Sequence, residues 1–132
     1  MFKNHVHMRV LLLAILAILI VGCTNNYRFE LRICSDIDAS KPCVDEDSIY
    51  LVGSNLWAQL ILDPDFEEDL IIGNIYRFEE GERILMSNKE LEIRPNQRIV
   101  LEMMTFNLDG NYEVEFTDKN GRYLIKRSFE IW

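Results

Sequence analysis

Histidine is confined to the start of this chain: His5 and His7 precede an apolar run at 10–21, and none follows it. If that N-terminal stretch is removed, no imidazole remains, which excludes Ser-His-Asp and Cys-His catalysis, imidazole-ligated zinc and non-haem iron triads. No Ser-x-x-Lys or Gly-x-Ser-x-Gly spacing marks another nucleophile. Cysteine is scarce as well, with Cys23, Cys34 and Cys43 too far apart for a Cys-x-x-Cys redox pair. Positive charge is thin. Lys3 and Arg9 account for two of the 14 Lys and Arg residues, and the chain from residue 23 onward carries 12 basic against 22 acidic side chains, a net charge of −10. Such a surface repels phosphate backbones, and no basic stripe with interleaved aromatics interrupts it, so nucleic acid is not an expected partner. Neither an enzyme nor a bound cofactor is expected from this inventory.

What the N-terminus does hold is a short basic segment, an apolar run and a small residue before a cysteine. As a helix the run at 10–21 would reach roughly 18 Å, short of the ~30 Å of a bilayer core, so it reads as a secretory signal rather than a membrane span. The residues Ile20-Val21-Gly22-Cys23 resemble the lipobox of bacterial lipoproteins. The resemblance implies that 1–22 is a cleaved signal peptide, that Cys23 is lipidated, and that 23–26 is a short tether to a domain at 27–132. One acyl chain anchors marginally and two or more anchor stably, so the membrane is the first expected partner. Thr24 stands where an Asp would favour inner-membrane retention, and by the same resemblance this points to the outer membrane, facing the periplasm or the cell surface.

Export would place Cys34 and Cys43 in a compartment that permits disulfides, and two cysteines allow one pairing. A bridge closing about ten residues removes roughly 2.7 kcal/mol of unfolded-state entropy. Two free buried thiols are the alternative.

From residue 27 the chain reads as strands. Tyr27, Phe29, Leu31 and Ile33 alternate with charged residues, the mark of a half-buried strand. Further strands are expected at 48–52 and at 56–62, the latter with Leu56, Ala58, Leu60 and Leu62 on one side and a stop at Asp63-Pro64-Asp65. Segments 71–78 and 83–86 flank Glu79-Glu80-Gly81-Glu82, a hairpin with glycine at its positive-φ position. A polar connection at 87–97 then leads to 98–106, where Ile99, Leu101 and Met103 alternate with Val100, Glu102 and Met104. Tyr112, Val114 and Phe116 alternate with Glu113 and Glu115; Asn120-Gly121 signals a last hairpin, and a strand at 122–132 closes the chain. About seven to eight short strands with regular turns and no helical periodicity predict a single small all-β sandwich.

The run from Leu108 to Phe116, followed by the turn at 118–121, resembles the last two strands of immunoglobulin-like domains, in which a tyrosine folds its hydroxyl back onto the preceding loop. The resemblance implies an immunoglobulin-like β-sandwich with Tyr112 at that corner. It departs from antibody domains in two respects: its cysteine pair lies in the first third of the chain, and it would not join the two sheets.

Two acidic clusters stand out: Asp36, Asp38, Asp45, Glu46 and Asp47 around the cysteine pair, and Asp63, Asp65, Glu67, Glu68 and Asp69 after the third strand. Carboxylates at that density suit calcium, but neither cluster fits an EF-hand, and Lys41 stands where the first would need glycine. Asp65 and Glu68 are the pair for acid–base work on a sugar. Solvated loop charge is the simpler reading of both clusters. Among the aromatics, Trp57 is expected in the core, Trp132 at the end of an edge or near-edge strand, and Tyr50 and Tyr76 in the core or on a binding face. Two functional readings follow. One is a membrane-anchored, non-enzymatic module that binds another envelope protein through a sheet edge or end loop. The alternative is a small-ligand, carbohydrate or calcium-binding domain using the acidic loops, which calls for a concavity joining those carboxylates to Tyr76 or Trp57.

Overall fold

The computed structural model describes residues 27–35, 43 and 47–132. The segment 1–22, the tether 23–26 with Cys23, and Asp36, Asp38, Asp45 and Glu46 lie outside the described residues. Eight strands follow in order: β1 (Glu30–Cys34), β2 (Ile49–Tyr50), β3 (Asn55–Ile61), β4 (Leu70–Glu79), β5 (Glu82–Glu92), β6 (Ile99–Thr105), β7 (Gly110–Asp118) and β8 (Tyr123–Ile131). Among the described residues no helix is long and apolar enough to cross a membrane.

The strands form a three-stranded sheet, β1-β3-β6, facing a five-stranded sheet, β2-β8-β7-β4-β5. All pairings are antiparallel except β2 with β8. Successive side chains of a strand point to opposite faces, so one row of each strand fills the space between the sheets. Leu31 and Ile33 of β1, Leu56, Ala58 and Leu60 of β3, and Val100 and Met104 of β6 meet Ile71, Val114, Phe116 and Phe129 from the larger sheet. The chain changes sheets at every connection except β4–β5 and β7–β8, which are the two hairpins. That is the Greek-key order of an immunoglobulin-type sandwich.

The corner expected at Tyr112 is present: its hydroxyl donates to the Leu108 carbonyl oxygen at 2.7 Å. Arg77 donates to the neighbouring Asp109 carbonyl at 2.8 Å. Gly110 makes room for that guanidinium, because a Cβ there would come within 3.0 Å of Arg77 Nε, and its φ of +140° disfavours any other residue. The β4–β5 hairpin turns on Glu80 and Gly81, both at positive φ, as a two-residue turn of this kind requires. The Asp118 carboxylate closes the last hairpin by accepting the Asn120 and Arg122 amides, each at 2.9 Å.

Two expectations are corrected. The polar stretch 87–97 is not all connection, since β5 continues through Glu92. It lies at a sheet edge, where backbone pairing on one side suffices and nothing forces an apolar row; every residue from Glu82 to Glu90 is exposed. Trp57 is not a core residue. Its neighbours Leu56 and Ala58 occupy the inward row, leaving Trp57 half-buried on the outward face of β3, opposite Cys34.

Candidate functional site

Cys34 and Cys43 are joined in a disulfide with their Cα atoms 4.9 Å apart. Because Cys34 lies in the outward row of β1, the bridge stands on the outer side of the small sheet and does not link the two sheets.

The second acidic cluster lies at the end of the sandwich where β1 begins. Asp63, Glu67, Glu68 and Asp69 line a cleft of about 390 Å³ with Arg94 and Arg98 from the β5–β6 connection. Asp63 serves the local backbone: its carboxylate accepts the Arg28 amide and, at 2.8 Å, the Asp65 amide. Those two amides, Arg28 foremost, hold its carboxyl below the usual range. Asp65 and Glu67 are exposed, and the buried Phe66 packs edge-on against Tyr27 and Phe29. The cleft therefore joins acids to arginines, and neither Tyr76 nor Trp57 lines it. Asp47, the described member of the first cluster, is exposed. Among the described residues no group of three His, Cys, Asp or Glu side chains is placed to hold a metal ion.

The aromatics disperse. Tyr50 is buried and donates to the Ile33 carbonyl at 2.7 Å, tying β2 to the small sheet. Trp132 is 66% exposed at the end of β8, which only the two-residue β2 separates from the sheet margin. Tyr76 lies on the outer face of the large sheet beneath Arg83, whose guanidinium carbon is 3.9 Å from the ring centre. Arg83 also pairs with Glu113 and Glu115 at 3.2 Å each, which compensates the burial of Glu113.

Charged side chains point inward at both open flanks of the sandwich. Arg127 of β8 donates to the Leu31 carbonyl of β1 at 3.2 Å, while on the other flank Lys89 of β5 pairs with Glu102 of β6. The second pair stands over a slot of about 220 Å³ lined by Gly73, Ile75, Leu91, Met104 and Phe116.

Two surfaces escape a reading of the sequence for chemical groups. The first is the free edge of β5, which pairs with β4 alone among the described residues. In its first half it exposes Ile84, Leu85 and Met86 at 36%, 53% and 51%. Met86 is the extra residue of a bulge, since Ile75 faces Ser87 and Tyr76 faces Leu85. The second is the outward row of β6, where Ile99, Leu101 and Met103 are 41%, 41% and 54% exposed. The alternation in 98–106 shows two rows, and both are apolar enough to be core; a line of three apolar residues in an edge strand was the available signal.

No family model and no curated protein matches the chain. Among solved structures, it is similar to a superoxide reductase (neelaredoxin) from Ignicoccus hospitalis, at 9% identity and a TM-score of 0.46, over 83% of this chain and 82% of that one. Likeness that remote brings no function with it.

Proposed function

We propose that the protein is a lipid-anchored module of the bacterial cell envelope, attached through Cys23, that binds another envelope protein and performs no catalysis. The observation that carries the binding half is the free edge of β5. An unpaired strand presents a row of backbone donors and acceptors, and sheets commonly take a partner strand there. The inward Lys89 blunts the second half of this edge, leaving Arg83 to Met86 as the open part, with Leu85 on the outer side. The lipobox-like residues carry the anchoring half, with the outer membrane as the expected site. The acidic-loop alternative is the weaker reading, because its carboxylates share their cleft with arginines and not with Tyr76 or Trp57.

A photocrosslinking residue at position 85 of the full chain, activated in intact envelopes, tests the binding half. A discrete protein adduct from position 85, absent from position 126 on β8 at the other side of the sheet, is the expected result. Adducts to glycan alone, or equal labelling from both positions, would overturn it.

A further inference from the structure

We propose that the outward face of the β1-β3-β6 sheet lies against the bilayer, with Ile99, Leu101 and Met103 of β6 and Trp57 of β3 at the lipid interface. The proposal rests on the anchored reading of Cys23 and adds which side of the domain meets the membrane.

Solvent-facing rows of a sandwich are ordinarily polar. This one presents Trp57, Ile61, Ile99, Leu101 and Met103 across two adjacent strands. Gln59, in the middle of the row, is 3% exposed and Cys34 of β1 is fully buried, so the open apolar surface is the β6 row together with the half-buried Trp57 and Ile61. Among the described residues the charges on this face are Glu30 and Arg32 on β1, paired with each other at 3.3 Å. The outer face of the large sheet differs, carrying Glu90, Glu92, Glu113, Glu115 and Glu130 against Arg83 and Lys126. Anionic headgroups repel that face and not the neutral, apolar one.

The path of the chain selects a membrane over a protein as the occupant. Glu30 begins β1 in this same sheet and stands beside Ile61, which stands beside Ile99. Cys23 lies seven positions before Glu30, a span of at most about 25 Å. A bilayer holding the lipid of Cys23 is therefore kept close to the end of the face where Ile61 and Ile99 lie. The backbone within the sheet is already hydrogen-bonded, and tryptophan favours the headgroup boundary, so this face meets the interface without orphaning its central strand.

The test uses the full lipidated chain with Trp132→Phe, which leaves Trp57 as its one tryptophan. It is reconstituted on vesicles of phosphatidylethanolamine and phosphatidylglycerol with brominated acyl chains. Trp57 emission should fall about twofold relative to unbrominated vesicles, as for a side chain at the acyl boundary. The double change Leu101→Glu with Met103→Glu should abolish that quenching while the protein still floats with the vesicles. The milder Leu101→Asn should weaken it if the double variant folds poorly. Floating protein whose Trp57 is quenched by aqueous acrylamide and not by bromolipid would overturn the inference and leave the anchor standing. Trp57 shielded from both quenchers in a crosslinked dimer would assign the face to a second copy instead. Failure to float would remove the anchored reading, and this inference with it.

Discussion

The two outer faces of the sandwich obey the same alternation and reach opposite chemistry. On the large sheet the outward row is charged, and part of that charge is paired within the face: Arg83 covers Tyr76 and holds both Glu113 and Glu115. On the small sheet the outward rows of β3 and β6 are apolar at Trp57, Ile61, Ile99, Leu101 and Met103, around the buried Gln59 and ending in the Asn55–Thr105 hydrogen bond, with a disulfide beside Trp57 and one ion pair at the rim. A charged row is satisfied by its ion pairs and by water, whereas an exposed apolar row stays unsatisfied until something covers it. The edges divide similarly. Lys89 and Glu102 guard the flank between β5 and β6, and the first half of β5 lies beyond that guard.

The largest expected effect comes from the small sheet's own staple. Replacing Cys34 and Cys43 with Ser should cost about 2.7 kcal/mol, a sizeable part of the roughly 5–15 kcal/mol of a typical domain, so the fold should survive with a lower Tm. Trp57 fluorescence should shift, reporting on the small sheet, while amide exchange in β7 and β8 stays slow. Thermal denaturation and alkylation mass spectrometry read this out, and two thiols alkylated without reductant would remove the bridge from the account. Tyr112→Phe works on the other sheet: losing the bond to Leu108 should cost about 1 kcal/mol. Exchange should quicken at 108–112 and remain unchanged in β1 and β3. Gln59→Leu is the smallest change and has the opposite sign. Gln59 Oε1 is a buried oxygen with no hydrogen-bond partner among the described residues, so removing it should raise stability by up to about 1 kcal/mol. A lower Tm would mean that this oxygen is satisfied, and the small face less purely apolar than described.

Most of the strand pattern was legible because turns announce themselves chemically. Glu80-Gly81 and Asn120-Gly121 marked both hairpins, and Asp63-Pro64 marked the end of β3. The Tyr112 corner was legible only through the resemblance of 108–116 to the closing strands of immunoglobulin-like domains, and the hydroxyl does donate to the Leu108 carbonyl. The second half of β5 was not. Ser87 to Glu92 has the composition of a loop, and only its place at a sheet edge, where one neighbour suffices, makes it a strand. Trp57 misled for a related reason. Bulk and apolarity argue for burial, but Leu56, Ala58 and Leu60 had already claimed the inward row, and period-two geometry leaves Trp57 the other side. The two apolar rows of β6 were indistinguishable from sequence, because the inward one contains Glu102, held by Lys89 from the facing sheet. That pairing of residues 13 apart in sequence comes from tertiary structure and has no local signal.

Everything said about membranes turns on one thiol. Metabolic labelling of expressing cells with an alkyne fatty acid, followed by capture of the full chain and of its Cys23→Ser variant, tests it most directly. The account predicts label on the wild-type chain and none on the variant, which should accumulate as uncleaved precursor or leave the membrane fraction. Label that persists in Cys23→Ser, or a wild-type chain that takes up none, would contradict it.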